Sequence, residues 1–287
     1  MIVQVSGLRK VYRRRVHALD GIDLTVPPGM FGLLGANGAG KTTLMRILAG
    51  LLSPSAGTVT AGGHDLRTAA GRRAVKRVLG YLPQDLGLYP ELTAAEFLDY
   101  VALLKGLDRP AERRRRVGEL LEVVGLTADR RRPLKTYSGG MRRRIGIAQA
   151  LLNDPRLLIV DEPTAHLDPE ERIRFRILLA QLAGDRTVLM STHVVEDVAQ
   201  TCRQVAVLAA GRLRFHGTVA ELTATADGKV WSVVTAGPAP TTGTLVAAVP
   251  DTGGMRYRVL SPTRPAPDAT PVPPTLEDGY LSLSTGR

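Results

Sequence analysis

Cysteine, aromatic residues and long apolar runs are scarce in this sequence. Its 287 residues include one cysteine, Cys202, and one tryptophan, and aromatic residues make up 4%. A lone cysteine excludes an internal disulfide, and with five scattered histidines it gives no recognisable metal site. The N-terminus lacks the apolar core of an export signal, and no apolar run approaches the length of about 18 residues that a membrane span requires. We therefore expect no signal peptide and no transmembrane helix in this chain.

The charge balance is strongly basic, with a formal net charge of +11 at pH 7. Part of the basic excess forms short arginine clusters at 13–15, 113–116, 130–132 and 142–144. Such charge is compatible with nucleic acid, with anionic lipid or with no specific partner. The sequence has no zinc module, aromatic-rich RNA motif or recognition-helix signal, so we expect no specific nucleic-acid partner. Work beneath an anionic membrane surface would favour the same balance.

The most specific pattern is Gly35-Ala36-Asn37-Gly38-Ala39-Gly40-Lys41-Thr42, which fits the phosphate-binding motif G-x-x-x-x-G-K-[ST]. Apolar residues 30–34 before it predict a buried strand. After Thr43, the apolar residues have helical spacing: Leu44, Ile47, Leu48 and Leu51. A glycine loop between a strand and a helix turns backbone N–H groups inward, and the helix N-terminus adds positive potential. We therefore predict a nucleoside triphosphate site in which Lys41 reaches the β- and γ-phosphates and Thr42 holds Mg²⁺.

A second half of the site is predicted where the apolar run 157–160 ends in Asp161 and Glu162. In an open parallel sheet, ligands lie at the carboxyl ends of the strands, so these acids are expected beside the phosphate loop. Asp161 suits Mg²⁺, directly or through water. Glu162 is a candidate to polarise the water that attacks the γ-phosphate.

Between these two halves lies Tyr137-Ser138-Gly139-Gly140-Met141, followed by a helical segment. This run resembles the LSGGQ signature of the ATP-binding cassette (ABC) ATPases. Ser138 and the backbone of Gly139 and Gly140, at a helix N-terminus, would form a second anion site. Two anion sites suggest one nucleotide held by two subunits, and the resemblance implies a head-to-tail dimer with a second copy or a paralogous ATPase subunit. Met141 replaces the usual Gln, which removes one polar contact at the nucleotide edge.

Further elements follow in the family's order over roughly residues 1 to 222. The resemblance implies that Gln84 contacts Mg²⁺ and water and senses a membrane partner, and that His193 contacts the γ-phosphate. Tyr12 matches the aromatic residue that stacks on adenine, although an ordinary exposed tyrosine is the alternative. Asp168 matches the D-loop across the dimer interface, where His166 stands at a position that often holds a small residue. The implied catalytic set is thus Glu162, His193 and Gln84, and the implied Mg²⁺ ligands are Thr42, Gln84 and Asp161.

The resemblance also implies the fold class. We expect an α/β P-loop NTPase fold of the ABC ATPase type, with a RecA-like core sheet, an antiparallel β subdomain, a helical subdomain and a small C-terminal α+β extension. The ATPase domain is expected at 1–228, with the helical subdomain at about 85–140. In that subdomain Phe97, Tyr100, Val101 and Leu104 are predicted to share one helix face.

Residues 229–287 are predicted to form a separate accessory region. Lys229 to Thr235 and Met255 to Leu260 read as strands, with a Gly-, Pro- and Thr-rich segment between them. The prolines from 262 to 274 favour an extended linker. A short end helix is predicted from Thr275, with Asp278 three residues later as a capping partner. Leu276-Glu277-Asp278 resembles the terminal motif of ABC ATPases that work with separate membrane subunits in export.

The leading hypothesis is therefore an ATP-hydrolysing ABC transporter subunit at the cytoplasmic face of the cell membrane. It would bind ATP and Mg²⁺, with no other metal, and would power transport, in the export direction, through a separate permease. A soluble ABC ATPase acting on nucleic acid or ribosomes is the alternative, although such proteins usually carry paired cassettes or a long insertion. A nucleotide-binding regulator without turnover is disfavoured because Glu162 and His193 are both present. The transported substrate is not encoded in this chain.

Overall fold

The computed structural model describes residues 1–13, 16–165 and 167–285. The strands in these residues are β1 (Val3–Tyr12), β2 (Val16–Val26), β3 (Gly29–Leu34), β4 (Ala56–Ala61), β5 (His64–Asp65), β6 (Leu79–Leu82), β7 (Leu157–Asp161), β8 (Thr187–Thr192), β9 (Gln204–Ala209), β10 (Arg212–Thr218), β11 (Val230–Thr235), β12 (Thr244–Asp251), β13 (Gly254–Leu260) and β14 (Thr270–Pro271). The α-helices are α1 (Lys41–Leu48), α2 (Ala69–Arg77), α3 (Ala94–Leu104), α4 (Pro110–Val123), α5 (Gly139–Leu151), α6 (Pro169–Ala183), α7 (Val195–Thr201), α8 (Val219–Ala224) and α9 (Leu276–Thr285).

The central sheet has the strand order β10-β9-β3-β8-β7-β6. Strands β3, β6, β7, β8 and β9 are parallel, and β10 is antiparallel at one edge. Every residue of β7 and β8 is buried, as expected for strands of a parallel sheet covered by helices on both faces. The carboxyl ends of β3, β8 and β7 lie side by side. This confirms the predicted core sheet, in which β7, the strand that ends in Asp161, lies near the strand that leads into the phosphate loop.

An antiparallel sheet with the order β2-β1-β4-β5 lies against this core. In this sheet β1 pairs with β2 along its whole length, from Val3 opposite Val26 to Tyr12 opposite Val16. Apolar side chains of β1 and β2 share one core cluster with Leu44 and Ile47 of α1. This packing carries Tyr12, at the end of β1, toward the phosphate loop.

The helical subdomain contains α3 and α4. A capping box between Thr93 and Glu96 begins α3. The predicted apolar face of α3 is only partly correct: Phe97 is buried, whereas Tyr100 is 42% exposed and Leu104 is 68% exposed. Leu98 is buried instead, because α4 and α5 pack on its side of α3. The buried face is therefore rotated from the predicted one.

The C-terminal region forms a third sheet with the order β12-β13-β11-β14. The structure has β11 and β13 where strands are predicted, but β12 occupies the segment expected to be irregular. Its apolar residues 245–249 lie between glycine and proline, and these flanking residues mask the strand pattern. The Pro-rich stretch is also more ordered than a linker, because Thr270 and Pro271 pair with the outer side of β11. Proline is tolerated there because an edge strand leaves one row of N–H groups unpaired.

The last helix, α9, packs on the ATPase part of the chain. Leu276 is buried in the core cluster that contains Val198 and Leu222. An added Cβ on Gly279 would lie 2.1 Å from the Leu222 carbonyl oxygen, so the backbones of α8 and α9 approach closely. Helix α9 therefore joins the C-terminal sheet to the hydrophobic core of the ATPase part of the chain.

Asp278 anchors α9 to the third sheet. The carboxylate is fully buried and accepts hydrogen bonds from Arg258 Nε at 3.0 Å and Arg258 Nη2 at 2.6 Å. It also accepts from the backbone N–H of Thr275 at 2.6 Å, which confirms the predicted capping position. Burial raises the pKa of Asp278, but the bonds from Arg258 and Thr275 outweigh burial, and the pKa lies below its ordinary value.

Replacing Asp278 with Asn should destabilise the C-terminal sheet by up to about 3 kcal/mol, because it leaves Arg258 without its carboxylate. Urea unfolding followed by the fluorescence of Trp231, the only tryptophan, measures this change. The wild-type advantage is expected above pH ~4, the pKa of an unfolded aspartate, and is lost as pH falls through the lower folded pKa.

The matched control for this prediction is Asp251→Asn. Asp251 pairs with Arg256, whose side chain is 54% exposed, so its loss should cost less than about 1 kcal/mol. Equal destabilisation by the two substitutions would contradict the anchoring role of Asp278.

Candidate active site

The phosphate loop, residues 35–40, connects β3 to α1 at the carboxyl edge of the central sheet. Gly40 is the N-cap of α1 with φ 105°, and no side chain caps this helix. The first N–H groups of α1 therefore face the loop without a side-chain acceptor, which is the arrangement that binds anions at helix N-termini.

Two glycines of the loop lie against backbone. An added Cβ on Gly35 would be 2.4 Å from the Leu208 carbonyl oxygen, and one on Gly40 would be 2.6 Å from the Ala18 carbonyl oxygen. A main-chain carbonyl within the packed sheet cannot move aside as a flexible side chain can. Close packing therefore requires glycine at both positions, and at Gly40, where φ is 105°, the dihedral angle requires it as well.

Lys41 is buried beneath the loop. Its Nζ donates to the carbonyl oxygens of Gly35 at 2.7 Å and Ala36 at 3.2 Å. The same ammonium lies 3.3 Å from Oε1 of Glu162. One positive charge thus connects the phosphate loop to the end of the acidic strand, as the two sequence patterns predict.

Asp161 is fully buried at the end of β7. Its Oδ1 accepts a hydrogen bond from the Ser191 hydroxyl at 2.6 Å, whereas Oδ2 has no hydrogen-bond partner among the described residues. An unpaired buried carboxylate oxygen is costly unless a ligand satisfies it. The residues present therefore fit a divalent cation of the oxygen-preferring type.

Glu162 has a left-handed backbone conformation, with φ 46°. Its N–H donates to the Ser191 carbonyl at 3.1 Å and to the Ser191 hydroxyl at 3.0 Å. Its Oε2 lies 3.3 Å from His193 Nδ1 and accepts from Gln84 Nε2 at 3.5 Å. Three predicted site residues, Lys41, Gln84 and His193, thus converge on this one carboxylate.

Ser191 is the site residue that sequence reasoning missed. Its hydroxyl bonds both acidic residues, as donor to Asp161 and as acceptor from the N–H of Glu162. The signal was its position on β8, the strand that ends just before His193 and lies next to the acidic strand in the sheet. A serine at that place can orient a neighbouring carboxylate.

A cleft of about 390 Å³ lies beside the loop, lined by residues 37–43 together with Val16, His17, Ala18, Gln84 and Glu162. Tyr12 flanks it, with its hydroxyl 3.5 Å from the Thr43 hydroxyl, and the residue is 41% exposed. The Lys10 ammonium lies 5.3 Å from the centroid of the Tyr12 ring. His17 also lies on the wall of this cleft.

The signature segment lies elsewhere in the chain. Ser138 caps α5 by accepting from the N–H of Met141 at 3.2 Å, and Gly139 lines a different cleft of about 450 Å³ that also includes Gln84. The Met141 side chain packs against the core. Among the described contacts, the structure does not bring Ser138, Gly139 or Gly140 to the phosphate loop of the same chain.

Asp168 lies at the N-terminus of α6, where its Oδ1 accepts from the N–H of Glu171 at 2.8 Å. Glu171 in turn packs against α5: an added Cβ on Gly140 would be 2.4 Å from its Oε2, and Arg144 Nη2 is 3.5 Å from its Oε1. The D-loop and the signature helix therefore adjoin each other. His166 lies outside the described residues, as do Arg14 and Arg15 of the first arginine cluster.

Arg143 connects the signature helix to the Gln84 segment. Its Nη1 donates to the carbonyl oxygen of Pro83 at 3.2 Å. Burial lowers the pKa of this guanidinium, against an opposing effect from the acids Asp85, Asp161 and Glu162. The second arginine of the signature cluster is thus a packed residue, and it does not belong to a solvated basic face.

A strand, glycine loop and helix with a buried lysine beside two strand-end carboxylates define a P-loop nucleoside triphosphatase. Residues 19–165 match the protein family described as ABC transporter. The chain is 40% identical over 223 residues to the Nod factor export ATP-binding protein I of Cupriavidus metallidurans, which covers 77% of this chain and 72% of that protein. It is 39% identical over 253 residues to a daunorubicin resistance ATP-binding protein of Streptomyces coeruleorubidus, which covers 88% of this chain and 78% of that protein.

Comparison with a solved structure also indicates an ATP-binding cassette. The dimeric post-hydrolysis state of an ATP-binding cassette bound to ADP and Pi has a TM-score of 0.69 at 25% identity, covering 75% of this chain and 98% of that chain. The chain belongs to the ABC transporter family and is an ATP-binding, ATP-hydrolysing subunit. In the part of the chain that the structure describes, no helix has the length and apolar character to cross a membrane.

Replacing Gly40 with Ala should weaken ATP binding at least about tenfold, a free-energy loss of about 1.4 kcal/mol. The new Cβ would meet the Ala18 carbonyl and push the loop out of position. Titration calorimetry with a slowly hydrolysed ATP analogue measures the affinity. Gly38→Ala is the control, because Gly38 also has positive φ, 81°, but nothing lies within 4 Å of its added Cβ. Equal losses in the two variants would show that dihedral strain alone decides the effect.

Proposed function

We propose that this chain powers export through a separate membrane permease by hydrolysing Mg²⁺-bound ATP at two sites shared between two ATPase subunits. The observation that carries the proposal is the convergence of Lys41, Gln84 and His193 on Glu162, at the edge of the sheet where the phosphate loop begins. ATP hydrolysis uses groups of these kinds: an acceptor for the proton of water, a lysine that binds phosphate, and polar side chains that orient the reacting groups.

The geometry supports a role for each of these residues. Lys41 is placed to balance charge on the β- and γ-phosphates, and the uncapped start of α1 adds backbone donors. Glu162 is placed to accept the proton of the attacking water, while His193 and Gln84 hold its second carboxylate oxygen in position. The Mg²⁺ ion would be held by Thr42, Asp161 and Gln84, and it would offset negative charge on the phosphates. The unpaired Oδ2 of Asp161 supports this assignment.

A second ATPase subunit is needed because the signature lies apart from the phosphate loop within one chain. Ser138, Gly139 and Gly140 form a helix N-terminus suited to an anion, and Asp168 lies near them through Glu171. In a head-to-tail dimer these residues would close over the ATP bound by the partner subunit. The solved ATP-binding cassette that this chain resembles is dimeric.

Export is the direction that the relatives favour, since one is named for export of Nod factor and another for daunorubicin resistance. The permease is a separate polypeptide in this proposal, and the chain acts at the cytoplasmic face of the cell membrane. A nucleic-acid or ribosome ATPase is not favoured, because both relatives are named for export or for drug resistance. The Leu276-Glu277-Asp278 motif supports export only as a resemblance, and its Asp278 has the anchoring role described above.

Glu162→Gln should bind Mg²⁺-ATP but hydrolyse it at least ~10²-fold more slowly, because an amide cannot accept the proton of the attacking water. Single-turnover hydrolysis with radiolabelled ATP measures the rate, and gel filtration with ATP should show an accumulated dimer. A wild-type single-turnover rate in this variant would remove Glu162 from the role of general base.

Mixing Lys41→Ala chains with Ser138→Arg chains should restore part of the ATPase activity that each variant lacks. Mixed dimers contain one intact shared site and one doubly damaged site. Activity is measured across a series of mixing ratios, with formation of mixed dimers followed by differently tagged chains. Mixtures that form mixed dimers and stay inactive would show that the site is not shared.

A further inference from the structure

The geometry points to a buried clamp, made of Thr164, Arg176 and Asp197, that positions Glu162 against His193 for hydrolysis. This inference rests on the proposed function, in which those two residues act on the attacking water. The three clamp residues are positioning residues, since each acts through the segment that carries it. None of them belongs to the phosphate loop, the signature or the acidic pair.

Asp197 is the centre of the clamp. Its side chain is fully buried in the first turn of α7. The Thr164 hydroxyl donates to Oδ2 at 2.5 Å, and Arg176 Nη1 lies 3.3 Å from Oδ1. Thr164 and Arg176 are buried as well. Both carboxylate oxygens are therefore satisfied by side chains from two other segments.

The clamp connects the segments that follow the two predicted catalytic residues. Thr164 is two residues after Glu162, and Asp197 is four residues after His193. A second cross-link lies nearer the sheet, where the Glu162 N–H donates to the carbonyl and hydroxyl of Ser191. His193 lies in sequence between Ser191 and Asp197, the residues that make these two cross-links. Both cross-links therefore restrict the 3.3 Å distance between His193 Nδ1 and Glu162 Oε2.

A gain in folding stability does not by itself explain a buried cluster of charged side chains. Replacing a buried ion pair with well-packed apolar residues is often neutral or stabilising. What a charged cluster adds is a single geometry in which every polar atom is satisfied. At Asp197 that geometry sets how α7 docks on the turn after Glu162, which is what a positioning role requires.

Arg176 extends the clamp to α6. Asp168, the residue expected to face the partner subunit, is the N-cap of that helix. Arg176 Nη1 also lies 3.6 Å from Glu196 Oε1, at the partly open side of the cluster. The turn after Glu162, α6 and α7 are therefore held in a fixed relation by one carboxylate. A change at the D-loop has a direct mechanical connection to the spacing of Glu162 and His193.

The test variant is Thr164→Val, which keeps the shape of the side chain and removes only the hydrogen bond to Asp197. We expect kcat for ATP hydrolysis by the purified full chain to fall about tenfold or more, because small displacements of catalytic groups are costly. The KM for ATP should stay within about twofold, since the phosphate loop is untouched. Thr164→Ser, which restores the hydroxyl, should recover most of kcat.

The matched control is Thr201→Val. The Thr201 hydroxyl donates to the main-chain carbonyl of Asp197 at 2.6 Å, so the control removes a hydrogen bond to the same residue without touching the turn after Glu162. We expect wild-type kcat in this variant. Circular dichroism and ATP titration show whether each variant is folded, and Thr164→Ala is scored in the same way if the valine variant does not fold.

Three results would overturn the inference. Wild-type kcat in Thr164→Val, or in Thr164→Ala if the valine variant does not fold, with Glu162→Gln inactive, would remove the clamp while leaving the proposed function intact. An equal loss in Thr164→Ser or in Thr201→Val would show a general packing effect. Wild-type kcat in Glu162→Gln would overturn the proposed function and the clamp together.

Discussion

The arrangement of this site depends on holding the Glu162 carboxylate, nearly buried, between a lysine ammonium and two polar side chains. Lys41 lies 3.3 Å from Oε1, and His193 and Gln84 lie 3.3 Å and 3.5 Å from Oε2. A buried carboxylate without such partners would be strongly disfavoured in its ionised form. The parallel sheet supplies these partners, because it brings the ends of β3, β6, β7 and β8 to one edge.

Much of the positioning depends on backbone conformations and close approaches that few residues can adopt. Glu162 itself has φ 46°, and this unusual conformation is maintained by two hydrogen bonds from its N–H to Ser191. Gly35 and Gly40 bring the phosphate loop within packing distance of main-chain carbonyls. The backbone strain at Glu162 persists only where surrounding structure overdetermines it, which is typical of functional sites.

The sequence predicted the elements whose chemistry restricts residue type. Phosphate binding requires glycines and a lysine in a set order, so the loop and the strand before it could be placed, and strand-end acids predicted the partner strand. Ser191 and the clamp around Asp197 were not predicted, because hydroxyls and acids at such positions are common and their partners lie distant in sequence. The face of α3 and strand β12 were missed for a different reason: tertiary packing and flanking glycine and proline override local periodicity.

The measurement that tests the shared-site account most directly is cross-linking between two differently substituted chains. Cys202 is buried, so Asn37→Cys in one chain and Thr136→Cys in the other provide single accessible thiols beside the phosphate loop and before the signature. With a short bifunctional thiol reagent, the account predicts a cross-linked heterodimer in the presence of a slowly hydrolysed ATP analogue and little with ADP. Absence of the cross-link while the analogue is bound, or equal cross-linking with and without nucleotide, would contradict closure of one subunit's signature over the other's ATP.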